Sequence, residues 1–568
     1  MDGLTDEQHT VVGLPVDAQT IVVAGPGTGK TYTLVRRVAE LTTGHGLAAG
    51  SELLVLTFTN AVVDELRVRL GDHRDAAYVR PSTIDSFAGR IVARLTGEPP
   101  GGGFDATVAR AAELVRDQPE DADIARFRHV IVDEVQDLVG VRLEFVEAIL
   151  EAAGGGFTLF GDPAQAIYGF QNGRGAEVDA VAHLSERFPD AAVYPLTHNH
   201  RVRNERVDVA RTHRSDLLGR VAPDSRERLL HRLLDCDHVT LDQLAMLLRR
   251  ADARTGVLCR TNGEVLFLSH ELHTRGIKHQ VRRPSESTTP ARWIAETLRD
   301  ATGDELTRRA FERLADGRPE DWVERAWRTL RRIAPGGRGQ VALSSLRERI
   351  ERAAQEPELS DRPILSTIHR SKGLEYDRTV ILAPDTRSGD EQQEEARVLF
   401  VALTRSRDAT LVLERPQLPG RLTLRANRWA LLTWRKSGLM RVELHSGDVE
   451  SSAPPGSDED AAAIQEYLRE RVQPGDPVRL ARISDGDEQF EIEHDRRLIG
   501  RTSVELTTGL RRFGALPMAV EDVRVDCLRS AAGDPARTSN LGIGSAGLWL
   551  IPELVGFGRP AWKDTLNG

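Results

Sequence analysis

The stretch that most constrains this chain is residues 21–41, where the apolar run IVVAG passes through PGTGKT into the helix-like YTLVRRVAEL. A strand that halts at glycines and resumes as a helix leaves backbone N–H groups at the helix N-terminus, where an anion is the natural partner. Gly25, Gly27 and Gly29 keep side chains away from phosphate oxygens, Lys30 is spaced to reach the β and γ phosphates, and the Thr31 hydroxyl suits Mg2+. Ala24 stands where the strict pattern has its first glycine, but three glycines remain to form the loop. About a hundred residues later, HVIVDEVQD ends an apolar strand in Asp133 and Glu134. That placement suits Asp133 to holding Mg2+ and Glu134 to orienting and deprotonating a water. Together the two segments predict a nucleoside triphosphatase.

Similar short runs recur: LLVLTF (53–58), FTLFGD (157–162), GVLCRT (256–261), ILSTIH (364–369), RTVILA (378–383) and TLVLE (410–414), with amphipathic patterns between them. Apolar strands alternating with helices predict an α/β fold with parallel, doubly covered sheets. The runs cluster before residue 200 and again from about 255 to 415, which predicts two such sheets rather than one. A hydrophobic fraction of 40% with 29% charged residues excludes a disordered chain or a rod. No apolar run approaches the roughly 18 residues of a spanning helix, and MDGLTDEQHT has no leader-like pattern, so a cytoplasmic protein is expected. Cys236, Cys259 and Cys527 are too far apart for a metal-binding spacing, and read as small hydrophobes.

The formal charge is −10, which argues against coating nucleic acid by bulk charge. The basic residues are almost all arginine, 71 against five lysines, and they concentrate in 201–232 (net +4) and 324–349 (net +5). Each stretch reads either as a basic track or as a helix face laced with ion pairs. Residues 448–460, DVESSAPPGSDED, read as an acidic linker, and 461–568 as a small β-rich accessory module.

Beyond the phosphate loop, a series of segments follows in order: LTDEQ (4–8), LTFTNAVVDELRVRL (56–70), PSTIDSFAGRI (81–91), VIVDEVQDL (130–138), FGDPAQAIYGFQNG (160–173), LTHNHRV (196–202), LSTIHRSKGLEYDRTVIL (365–382) and EEARVLFVALTRSRDA (394–409). In identity, order and position the series resembles the UvrD/Rep helicases of superfamily 1, over roughly residues 1–415. The resemblance implies two RecA-like P-loop domains with reduced helical insertions, followed by the β-rich module. The domains would span 1–195, with a short insertion at about 90–125, and 196–447, with an Arg-rich helical insertion at about 283–360. It implies ATP and Mg2+ as cofactors. Gln8 would read the adenine edge, Gln165 would sense the γ-phosphate, and Arg201 and Arg405 would be arginine fingers. Gly373 and Glu375 would lie near the ribose.

The same resemblance implies a single-strand track made of Phe58, Asn60, Thr83, Ser86, Phe87, Tyr168, Phe170, Thr367 and His369. Aromatic rings there would stack on bases, which tolerates any sequence because every base has a π face. His200 stands where relatives have a stacking tyrosine, Gln171 and Asp85 replace an arginine and a histidine, and Tyr32 follows the loop threonine where an arginine is common. The activity implied is an ATP-dependent, 3′→5′ single-stranded DNA translocase and DNA helicase in repair, recombination or genome defence. The alternative is the ATPase motor of a nuclease-containing, Gabija-like anti-phage complex. Expected partners are single-stranded or tailed duplex DNA, and a nuclease or other protein engaged by the C-terminal module. A fused nuclease is disfavoured, because Lys436 and Lys563 are the only lysines after residue 420 and neither sits in an acid-x-Lys context.

Overall fold

The computed structural model describes residues 3–73, 75–97, 103–167, 179–201, 209–218, 221–222, 224–250, 252–282, 291–334, 336–350, 362–384, 392–433, 438–456, 460–482, 484 and 486–562. The chain divides into two compact units, one of residues 1–238 with 371–413, the other of 239–370 with 414–568. It is mixed α/β, with parallel RecA-like sheets and a C-terminal antiparallel sheet. No helix among the described residues is long and apolar enough to cross a membrane.

In the first unit, strands β1 (Gln19–Ala24), β2 (Leu53–Thr57), β3 (Ser82–Thr83), β4 (His129–Val132), β5 (Gly156–Gly161) and β6 (Ala192–Leu196) form a parallel sheet in the order β3-β2-β4-β5-β1-β6. The near-continuous apolar sequences of β2, β4 and β5 follow from burial on both faces. Successive residues point to opposite sides. Ile21, Leu54, Leu56, Val130, Val132 and Leu159 enter one core, with helices such as Phe104–Asp117 and Val141–Ala153. Val22, Val55, Ile131 and Phe160 enter the other, beneath helix α2 (Lys30–Ala39). Helix Phe104–Asp117 lies in the 90–125 stretch, and Val108, Ala111 and Val115 anchor it in the main core. The unit also holds a later parallel pair of strands, Tyr376–Leu382 and Ser406–Leu413.

The second unit contains the parallel strands Thr255–Cys259, Ile364–Thr367 and Gln280–Val281. It also contains an eight-stranded antiparallel sheet, ordered 421–425, 428–432, 439–444, 548–561, 519–532, 477–481, 491–494 and 497–501. Residues 421–444 thus share a sheet with the C-terminal strands. At the start of the acidic segment, Asp448 is buried against Arg428, and Val449 bridges to Thr502. Helices Arg292–Leu298, Arg308–Leu314, Glu320–Ile333 and Leu343–Arg349 pack on this sheet in one common core, with Ile294, Trp327 and Leu346 beside Leu528, Leu548 and Leu550. Ser530 pins the first of these helices: its hydroxyl accepts from Ala295 N at 2.8 Å and donates to Ala291 O at 2.7 Å. In the 324–349 stretch, Arg325 pairs with Asp321 and Arg328 with Glu324, the ion-laced alternative of the sequence reading.

Candidate active site

The phosphate loop joins the C-terminal end of β1 to α2, and β4 delivers two carboxylates beside it. Gly29 caps α2 with φ 78°, a left-handed conformation that glycine adopts without strain. Gly27 is a place of close approach: a Cβ there would lie 2.3 Å from Asn199 Oδ1 and 2.6 Å from Arg201 Cβ. His200 N–H donates to Gly27 O at 2.8 Å. The segment after β6 therefore lies directly on the loop. Thr28 closes the turn through its hydroxyl to Gly25 O at 2.8 Å, and Thr31 follows as the second residue of α2.

Gln8 is buried in helix α1 (Asp6–Val12), where it completes a capping box with Thr5. Its Nε2 donates to Thr28 O at 3.0 Å, tying the helix to the loop. Glu7 accepts from Thr197 N and Oγ1 at 2.7 and 2.6 Å, and the His198 and His200 rings meet edge to face at 4.5 Å. Burial and the neighbouring His198 lower the His200 pKa.

The Lys30 ammonium lies 3.1 Å from Asp133 Oδ1 and contacts Glu134 Oε1. Burial pulls the Lys30 pKa down, but Asp133 and Glu134 outweigh it and hold the group charged. The two carboxylates are driven apart. Burial and the Glu134 charge raise Asp133, whereas Lys30 and Lys372 overcome burial and lower Glu134. Opposed environments for adjacent acids are how one remains an ionised base. Glu134 also adopts φ 57° and ψ 40°, strained for a residue with a Cβ. The Gln136 amide contacts the Glu134 carboxylate, and the Glu134 backbone N–H donates to Asp133 Oδ1 at 2.9 Å.

The sequence-predicted fingers converge here. Arg405, fully buried, donates from Nη2 to Gln165 Oε1 at 2.9 Å and from Nε to Val401 O at 3.0 Å. Burial and Arg201 push its pKa down to about 9. Arg201 reaches Glu375 Oε1 at 2.6 Å and Thr404 O at 3.1 Å. Glu375 is also held by Arg407, at 2.6 Å, and its pKa is lowered because these arginines overcome burial. Gly373, with φ 79°, precedes it in the same loop.

Two ties escape sequence reading. Lys372 donates to both oxygens of Asp137 at 2.6 and 2.7 Å and to Gln165 O at 2.7 Å. Burial raises the Asp137 pKa to about 6 against the pull of Lys372. Asp162 accepts from Gln165 Nε2 at 2.6 Å and from Arg214 Nε at 3.0 Å. The available signal was weak: Lys372 is one of five lysines and Asp137 closes DEVQD, but nothing local links them.

The expected nucleic-acid residues are placed unevenly. Thr57 and Thr83 pair across β2 and β3, so half-buried Phe58 and exposed Ser86 lie beyond the same strand ends. Thr83 is buried and caps helix Ile84–Thr96, accepting from Ser86 N at 3.2 Å and donating to Ser86 Oγ at 2.8 Å. Phe87, 8% exposed, lies in the core with its ring 6.4 Å from Phe127 and 6.3 Å from Phe145, rather than on an open surface. Its position on the inward face of an amphipathic helix explains this. Asp85 is held by Arg142 at 3.0 Å. Asn60 begins helix Asn60–Gly71, though its side chain lies outside the described residues, as do Tyr168, Phe170 and Gln171 entirely. In the second unit, Thr367 ends its strand and accepts from Arg370 N at 3.3 Å, and His369 opens the next turn.

Residues 8–171 match the family described as an AAA domain, and residues 364–413 match the UvrD-like helicase C-terminal domain. The chain is 24% identical to ATP-dependent DNA helicase UvrD2 of Mycobacterium tuberculosis over 554 residues, covering 71% of this chain and 77% of that protein. A shorter stretch is 44% identical over 69 residues to an ATP-dependent helicase/nuclease component of Clostridium botulinum, covering 12% of this chain and 5% of that one. Among solved structures, Pif1 helicase from Candida albicans aligns at 14% identity and TM-score 0.35, over 72% of this chain and 94% of its own, too loose a likeness to carry an argument.

Proposed function

The chain belongs to the UvrD/Rep family of superfamily 1 DNA helicases, and on that premise we propose an ATP-driven, 3′→5′ translocase on single-stranded DNA that unwinds duplexes during repair, recombination or genome defence. The observation that carries this reading is the hydrogen bond between buried Arg405 and Gln165, within the site that holds Lys30, Asp133 and Glu134. It joins a transition-state cation to a phosphate sensor in one contact.

In this reading Glu134, kept ionised by two ammonium groups, takes the proton of the attacking water. Lys30 neutralises phosphate charge at the mouth of α2. Arg201 and Arg405 stabilise charge on the transferring phosphoryl group. Gln8, set against the loop backbone, reads adenine, and Glu375 with Gly373 lies by the ribose. Asp133 and Thr31 offer oxygen donors of the class a hard divalent cation takes, and the raised pKa of buried Asp133 marks a carboxylate that a cation would relieve. Bound Mg2+ would neutralise charge on the phosphates. We assign the two ATPase domains to residues 1–195 and to the parallel-strand part of 196–447, whose strands 421–444 belong with the C-terminal sheet, and the single-strand track to Phe58, Asn60, Ser86, Tyr168, Phe170, Thr367 and His369, with Thr83 as the helix cap behind Ser86.

The test is ATP turnover with single-stranded DNA, duplex and RNA, followed by unwinding of duplexes carrying a 3′ or a 5′ tail. Stimulation by single strands and unwinding of 3′-tailed substrates alone are expected; a preference for 5′ tails would reverse the assigned polarity. The short match to a helicase/nuclease component favours a second reading, an ATPase motor in a nuclease-containing anti-phage complex. Copurification of a nuclease with weak unwinding by the isolated chain would select it.

A further inference from the structure

Arg214 occupies a position that no sequence motif accounts for. It opens the short turn Arg214–Leu217, and its side chain is 16% exposed. Its Nε and Nη2 each lie 3.0 Å from Oδ1 of buried Asp162, while Oδ2 of the same carboxylate accepts from Gln165. The guanidinium also rests on the phosphate loop, since a Cβ at Gly25 would meet Arg214 Nε at 2.9 Å. Asp162 N–H donates to Gln136 Oε1 at 3.0 Å, and the Gln136 amide contacts Glu134. One aspartate therefore connects Arg214, the γ-phosphate sensor and the general base.

We propose that Arg214 is a positioning residue of the ATPase site: it fixes Asp162, and so holds Gln165 and, through Gln136, Glu134 in register with the phosphate loop. A buried carboxylate bound only by an amide would keep an uncompensated charge and a free torsion. A guanidinium hydrogen-bonded through Nε, with Nη2 in ion-pair contact, removes both, and an ammonium restores the charge but not the orientation. Arg214 acts through Asp162 without itself being a finger. The inference rests on the ATPase reading above.

The experiment measures steady-state ATP turnover of the full chain at saturating single-stranded oligonucleotide, for wild type, Lys30→Ala, Arg214→Ala, Arg214→Lys, Gln165→Ala and the Arg214→Ala/Gln165→Ala pair. Arg214→Ala should lower kcat about tenfold or more, with KM for ATP moving far less, because sub-ångström misplacement acts on the chemical step. Arg214→Lys should recover only part of that loss. The paired substitution should cost less than the product of the single losses, since both act through Asp162. Unchanged kcat in the Arg214 variants, with at most a lower melting midpoint, would overturn the proposal, as would single losses that multiply. If Arg214→Ala does not fold, Arg214→Lys with Gln165→Ala makes the same comparison. Wild-type protein without DNA-stimulated turnover, or Lys30→Ala with full turnover, would instead refute the ATPase reading itself.

Discussion

Both the ATPase site and the C-terminal sheet bury charge, but they do it differently. Arg428 and Asp448 in the sheet meet as a fork on a carboxylate, with Nη1 to Oδ2 at 2.7 Å, and His445 N donates to the same Oδ2 at 2.6 Å. The donors match the acceptors, so the pair locks strand 428–432 to the turn after strand 439–444. At the end of β4 the balance is uneven. Lys30 and Lys372 are spread over Asp133, Glu134 and Asp137, whose pKa values are pulled in opposite directions. A matched pair has little to gain from a ligand. An unmatched cluster is a standing response to whatever charge arrives next, which is what phosphoryl chemistry requires.

The difference can be broken experimentally, beginning with the largest effect. Glu134→Gln should lower DNA-stimulated ATP turnover by about three orders of magnitude while leaving the melting midpoint near wild type; equal losses of stability and activity would make Glu134 another structural charge. Arg405→Ala should slow turnover about a hundredfold and spare nucleotide binding, read by fluorescent-nucleotide titration. A pure binding defect would contradict its finger role. Arg428→Ala should do the reverse, costing on the order of 3 kcal/mol in a urea titration by stranding buried Asp448, with the kcat of the remaining folded protein unchanged.

The smallest effect is the most diagnostic. Asp137 loses its proton as pH rises through about 6 and then offers Lys372 a full ionic partner. Glu134, held below its ordinary range, is already ionised there, so it does not set this limb. Turnover should rise several-fold across that window, and Asp137→Asn should flatten the rise. A limb that persists in the variant would assign it to another group.

How much of this was legible in the sequence depends on distance along the chain. The phosphate loop and the DEVQD strand are local patterns, since a turn that exposes N–H groups needs glycines at adjacent positions. Resemblance singled out Arg201, Arg405 and Gln165; in the fold Arg405 donates to Gln165 and Arg201 lies against Gly27. The Lys372–Asp137 tie spans 235 positions and Arg214–Asp162 spans 52, so both depend on which strand ends the topology brings together. Phe87 shows the opposite failure: its motif suggests a surface role, but helix periodicity turns its ring inward, beside Phe145. The eight-stranded sheet was legible only as β-rich, because antiparallel pairing of 439–444 with 548–561 leaves no periodic trace connecting the two.

The shared core of the second unit has a consequence for synthesis. Helices 292–349 bury Ile294, Trp327 and Leu346 against strands that end at Ala561. Those strands leave the ribosome roughly 200 residues later, a delay of about 10 to 40 seconds at ordinary translation speeds. Until then the helices display their oily faces to the cell, so a nascent-chain chaperone, or slow codons placed before this stretch rather than after it, would decide the yield of folded protein.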